Sequence, residues 1–215
     1  GNLMADKDIR RLVEAIVDYL EWEKTIKANG AHRPVTRDSL ILIDFLRFAA
    51  RNELVWEEMF TLHTLKDREK AKTLQRFFKT GPGEYGEGDF FLGIPVPRLR
   101  KLSKECGETD LGEVEALIES SVHEERLLAL LILIRKYNRE DEAGKKRIYG
   151  LYLKNTPTIN SWDLVDLSAE HIVGAWLAGG NREKLYRLAK SKSLWERRIA
   201  IVATFHDIKR GRPDH

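Results

Sequence analysis

Ser121-Val-His-Glu-Glu-Arg126-Leu-Leu-Ala-Leu130 and Ser193-Leu-Trp-Glu-Arg-Arg198-Ile-Ala-Ile-Val202 lie 72 residues apart and agree in character position by position: a serine, a short polar turn ending in arginine, then an apolar run. Half of that offset is 36 residues, a period found among helical solenoids. Ser161-Trp-Asp-Leu-Val-Asp166 falls between them and starts with the same serine, so it reads as the intervening repeat. Arg126, Asp166 and Arg198 then occupy equivalent positions, and equivalent positions in a solenoid line one strip of its surface. The strip expected is cation, carboxylate, cation. The same spacing also suits a ladder of ion pairs between neighbouring repeats.

Outward from these segments the apolar residues recur at helical spacing, and period-2 alternation between hairpin turns is essentially absent, which predicts an all-α chain. Paired helices are predicted over 111–120 with 122–138, 142–155 with 162–177, and 182–190 with 194–208, joined by short polar connections. A helix starting near Arg98 has Pro97 in its first turn, where the missing N–H is harmless. Before it, a charged helix ends at Phe77-Phe78. The following Thr80-Gly-Pro-Gly-Glu-Tyr-Gly-Glu-Gly-Asp89 is too glycine-rich to stay helical and is expected to be a structured or mobile loop. Further helices are predicted over 6–29, 36–51 and 54–62.

Composition narrows the function classes. With 42% hydrophobic and 33% charged residues the chain reads as a soluble folded protein, and its longest apolar run, Leu127–Ile134, is too short to span a bilayer. The N-terminus lacks the pattern of a secretion signal, so a cytoplasmic location is expected. Cys106 is the sole cysteine, which excludes an internal disulfide and a cysteine-rich zinc cluster. The six histidines are scattered, with no metal-ligand spacing and no nucleophile triad; no metal and no cofactor are expected. The net charge of +3 is unevenly spread. Residues 1–60 hold 9 Lys/Arg against 11 Asp/Glu, whereas residues 181–212 hold 10 against 3. That basic end suits a polyanion, or is an ordinary solvated helix face.

Trp162 and Asp166 are one helical turn apart, as are Trp195 and Arg198 in the next repeat. An indole beside a carboxylate suits a cationic ring next to a sugar gaining positive charge, although core packing is the commoner use of a helical tryptophan. Asp163 stands close behind the serine that begins the helix and is expected to cap or support it, leaving Asp166 as the functional acid. Arg98, Arg100, Lys101 and Lys104 form a cationic face that suits phosphates or solvent equally well.

The run Phe77-Phe-Lys-Thr-Gly-Pro-Gly-Glu-Tyr-Gly-Glu-Gly-Asp89, with Phe91-Leu-Gly-Ile94, Val96-Pro97 and Arg100-Lys-Leu102, resembles the opening of the DNA alkylation repair enzyme family, the AlkD-like alkylpurine DNA glycosylases. His123–Ile132, Asn160–Asp166 and Leu194–Ile201 resemble its later repeats, and the likeness covers about residues 66–206. The resemblance implies a HEAT-like α-α superhelix with a concave basic face, built by residues 63–215 and short of repeats on its C-terminal side, after an N-terminal helical extension over 1–62. It also implies a monofunctional glycosylase that hydrolyses the N-glycosidic bond of cationic N3- or N7-alkylated purines in double-stranded DNA. Asp166 would be the catalytic carboxylate, stabilising the oxocarbenium-like sugar and positioning water. Trp162 would meet the lesion and Arg198, with neighbouring cations, the DNA; the reading of the residues themselves adds Trp195 at the lesion, Arg197, Lys192 and Arg126 on the DNA, and Asp163 in support. A monomer without membrane contacts is expected. The competing expectation is a helical-repeat protein that binds damaged or distorted DNA without chemistry.

Overall fold

The computed structural model describes Leu62, residues 65–178, Gly180 and residues 182–211. The helices expected over 6–29 and 36–51, and all of 54–62 except Leu62, lie outside the described residues. The chain divides into two units, Gly1–Arg51 and Asn52–His215, and everything below concerns the second.

Among the described residues the protein is all-helical, and its only β-type pairing is an isolated bridge between Phe90 and Val122. α1 (Arg68–Phe77) starts at Asp67, whose carboxylate accepts from the Glu69 and Lys70 amides. α2 (Val96–Glu105) carries proline in its first turn. α3 (Leu111–Ile118) opens with a capping box in which Asp110 and Glu113 satisfy each other's backbone N–H groups. α4 (His123–Tyr137) follows, then α5 (Glu142–Lys154), capped by Asp141. α6 (Trp162–Ala169) runs through a π-helical turn, Glu170–Gly174, into the short α7 (Ala175–Leu177). α8 (Glu183–Ala189), α9 (Leu194–Ala203) and α10 (Phe205–Ile208) complete the described chain.

The packing is helix on helix, of the kind a helical-repeat superhelix uses. α3 packs on α4, α8 on α9, and α5 on the π turn and α7; across the pairs, α4 meets α6 and α6 meets α9. α4 is the spine of this arrangement. Leu128, Ala129, Leu130, Ile132 and Leu133 are inaccessible to solvent, because α2 and α3 cover the helix from one side and α6 from another. Burying a side chain such as Leu or Ile contributes ~1.5–3 kcal/mol, so α4 holds a large share of the core energy.

The π turn is where the regular pairing is adjusted. Ser168 accepts from the Tyr152 hydroxyl of α5 (2.9 Å) and donates to the Leu164 carbonyl one turn back, a type of contact that bends helices. At the end of the turn Gly174 lets α9 come very close: a Cβ there would sit 2.2 Å from the Ala203 carbonyl oxygen and 2.9 Å from His206 Cβ. Gly174→Ala is therefore expected to destabilise the fold by about 1–3 kcal/mol through overpacking. Urea unfolding checks this, and an unchanged midpoint would show that the π turn and α9 are not held this closely.

Candidate nucleic-acid interface

Asp166 projects from the second turn of α6 and meets Arg198 of α9, which packs against α6. The pair is bidentate: Arg198 Nε donates to Oδ1 at 2.7 Å and Nη2 to Oδ2 at 2.6 Å. Both side chains remain open to solvent, at 39% and 42% exposure. Two parallel bonds fix the carboxylate's orientation while leaving the guanidinium's Nη1 and a second Nη2 hydrogen for another acceptor.

One turn before Asp166, Trp162 lies flat on Phe78, with centroids 5.4 Å apart and rings within 5°, and meets the edge of Phe77. Its ring is 37% exposed. Tyr85, from the glycine-rich loop, sets its ring 5.5 Å from Trp195 at a steep angle and lies close to Trp162. One loop tyrosine thus bridges the tryptophans of two successive repeats. A pocket of about 570 Å3 adjoins Trp162 on the α1 side, with Phe77, Phe78, Ile94, Val96 and Leu127 in its largely apolar wall.

The loop that delivers Tyr85 is structured. Gln75 of α1 donates to the Asp89 carbonyl at 2.6 Å and to Thr80. Phe90 exchanges backbone hydrogen bonds with Ser121 and His123, at 3.0 and 2.8 Å. Beyond it Glu124 accepts from the amides of Leu92, Gly93 and Ile94, at 2.9, 2.8 and 3.3 Å. Gly93 sits at φ +84, and a Cβ there would meet the Asp67 carbonyl at 2.2 Å, so this close pass beneath α1 needs glycine.

That loop displaces Arg126 from the role expected of it. The surface strip of cation, carboxylate and cation is realised only for Asp166 and Arg198. Arg126 is buried, donating from Nη2 to Asp89 at 2.5 Å and from Nη1 to the Ser120 carbonyl at 2.8 Å. Residues 89–94 fold over the start of α4, and Arg126, 4% exposed, serves there as an internal tie.

The other expected residues are distributed as follows. Lys192 is exposed on the turn before α9. Arg197 holds the Ser191 and Lys192 carbonyls from Nη1, both at 2.8 Å, which closes that turn. Trp195 is partly buried against Tyr85. Asp163 does not cap α6 in the simple sense; its carboxylate accepts from His123 Nε2 at 2.8 Å and from Ser161 Oγ at 2.7 Å.

His123 and Asp89 were not singled out by sequence reasoning, and together with Asp163 and Arg126 they form one internal cluster. The His123 ring is 2% exposed, with Nδ1 3.1 Å from Asp89 Oδ2 and Nε2 on Asp163. Burial pushes both carboxyls up, but the His123 contacts, joined at Asp89 by Arg126, more than offset it and leave both below the usual carboxylate range. Phe91 stacks on the imidazole at 4.4 Å and Phe78 lies tilted to it at 5.0 Å. Among the described residues no group of three or more His, Cys, Asp or Glu side chains is arranged to hold a metal, and no helix is long and apolar enough to cross a membrane.

Residues 59–215 match the family described as DNA alkylation repair enzyme. The chain belongs to that family. Its place there makes it a DNA alkylation repair protein with DNA as its partner. No curated protein and no solved structure matches the chain.

The two arginines of the expected strip differ in energetic weight. The Arg198–Asp166 pair is solvated, so Arg198→Ala should cost no more than about 1 kcal/mol of stability. Arg126→Ala should cost about 3–5 kcal/mol, because it leaves Asp89 buried without its guanidinium. Urea unfolding of both variants checks the contrast; equal losses would show that Arg126 is not the buried member.

Proposed function

We propose that the protein is a monofunctional DNA glycosylase that releases cationic N3- or N7-alkylated purines from duplex DNA. The observation that carries this reading is an outward-facing carboxylate, Asp166, held in fixed orientation by Arg198 one helical turn from the exposed ring of Trp162. Alkylation at either ring nitrogen leaves the purine positively charged. The C1′–N bond then breaks with its electron pair going to the base, which departs neutral, and the positive charge passes to the sugar. Water adds to C1′ and loses a proton, giving an abasic site and free alkylpurine.

In that sequence the protein has little acid catalysis to perform. On this reading Asp166 is the carboxylate that faces the sugar as it becomes positive, and preorganised charge of this sort is worth most where water is excluded. The π face of Trp162, already supported from behind by Phe78, suits contact with a cationic nucleoside. Arg198 keeps donors for a phosphate while orienting Asp166, and Lys192 and Arg197 extend the cationic edge. The HEAT-like character of the repeats and the concavity of this face belong to the same proposal.

A second reading draws on the same ion pair. Both Asp166 oxygens accept from Arg198, which lowers the negative charge available to a sugar and favours damage binding without chemistry. The two separate in one assay. Wild-type protein is expected to release 7-methylguanine or 3-methyladenine from methylated duplex above the spontaneous rate, and Asp166→Asn to lose about 10²-fold of that rate. Duplex binding with no release in either form would establish the second reading. Independently, Lys192→Ala is expected to weaken duplex binding without regard to sequence and to reduce the log–log salt slope by about 1, read by fluorescence anisotropy across a salt series.

A further inference from the structure

Charge accounting in the internal cluster defines the state of His123. Asp89 and Asp163 are both carboxylates, and each presents an oxygen to a different nitrogen of the same ring. A neutral imidazole has one N–H and one bare lone pair, so one of these contacts would set a lone pair against an anion. A protonated ring donates to both. With Arg126 on Asp89, these four hydrogen-bonded groups balance as two cations and two anions; removing the histidine proton adds negative charge to a site 2–5% exposed at His123, Asp89 and Arg126 that also holds the buried Glu124 carboxyl.

The cluster also ties together the three parts that build the candidate interface. Asp89 ends the loop that carries Tyr85, His123 opens α4, and Asp163 follows Trp162 in α6. On one side of Trp162 lies the apolar pocket of about 570 Å3, large enough to admit an indole, with His123 and Asp163 in its wall. Phe78 backs one face of the indole, but the open pocket beside it leaves room for the ring to shift, and the hydrogen bond that fixes the start of its helix is the Asp163 contact with His123.

We propose that His123, as a buried imidazolium bridging Asp89 and Asp163, is a positioning residue that holds Trp162 and the Tyr85 loop in register at the DNA-facing site. This rests on the proposed glycosylase reading for its effect on rate, but not for its effect on the indole. The groups facing His123 are Asp89 from the loop, Asp163 from α6, and Glu124 and Arg126 on its own helix, with Glu69 and Lys70 of α1 on the same pocket wall.

The sign of the pH dependence follows from these contacts. Burial disfavours the charged ring, but the two carboxylates outweigh it and raise the His123 pKa above the ordinary histidine value. The bridge is thus fully formed below the ordinary histidine pKa, and is lost as pH rises through the raised folded-state pKa. On the acid side it persists until Asp89 and Asp163, whose pKa values are lowered, take up protons.

The test uses the full chain in three measurements. In 15N-histidine NMR, the resonances absent from His123→Gln are expected to report both ring nitrogens protonated at pH 7.5, titrating only above the ordinary histidine range. Acrylamide quenching of Trp162, isolated as the difference from Trp162→Phe, should increase in His123→Gln and in wild type above that same midpoint. Single-turnover release of 7-methylguanine should fall by about tenfold or more in His123→Gln, as misplacement at a distance can produce, with duplex Kd changed by less than about twofold because the phosphate-holding cations are untouched. Asp163→Asn removes one anion without emptying the core, so it should move the NMR and quenching midpoints to lower pH together; it decides the matter if His123→Gln does not fold. A neutral His123 at pH 7.5, or quenching of Trp162 indifferent to both variants and to pH, overturns the proposal. If wild type releases no base while the NMR and quenching results hold, the glycosylase reading fails and the positioning role stands.

Discussion

A histidine ring held between two carboxylates is the constraint on which the rest of this architecture depends. Asp89, His123 and Asp163 come from a loop, from the central helix and from the helix carrying Asp166, so three separate parts of the chain meet in one largely buried contact. Hydrophobic burial along α4 supplies most of the cohesion, but it is non-directional and specifies no register between a loop and a helix end. Hydrogen bonds to charged groups are directional. Once formed, they determine where Trp162 and Tyr85 stand relative to each other, and the exposed Asp166–Arg198 pair is displayed beside them.

The two halves of the site contrast in their physics. The inner cluster is nearly inaccessible, so every charge in it must be balanced and any loss is expensive. The outer pair is solvated, contributes little to stability and can exchange partners at low cost. That division suits recognition of a polyanion: a rigid interior sets the geometry, while the surface cation and carboxylate remain available for phosphate and sugar. The π turn after Asp166 and the glycine that allows α9 to approach bring Arg198 within reach of the acid.

Much of the fold could be read from residues alone. The helix pairs and their polar connections follow from apolar spacing and from local signals such as Asp110 with Glu113 and Pro97 in the first turn of α2, because these act over a few residues. Repeat equivalence brought Asp166 and Arg198 onto one list, and they are in contact. The same equivalence gave no sign that Arg126 would be buried, since a repeat pattern carries no information about a loop from elsewhere folding over one unit. His123 and Asp89 escaped notice for a related reason: their contacts span 34 and 40 residues, and no short motif encodes them. Tyr85 was visible as part of a family-like stretch, but its position between two tryptophans depends on the docked loop.

The central claim is that Asp166 faces a sugar acquiring positive charge, and the most direct measurement is binding to duplexes in which one nucleotide is replaced by a cationic pyrrolidine mimic of that sugar or by its neutral tetrahydrofuran counterpart. The account predicts that the cationic duplex binds at least about 10²-fold more tightly, as transition-state mimics do, and that Asp166→Asn abolishes the difference while leaving affinity for the neutral duplex intact. Equal affinity of the wild-type protein for the two duplexes would contradict it.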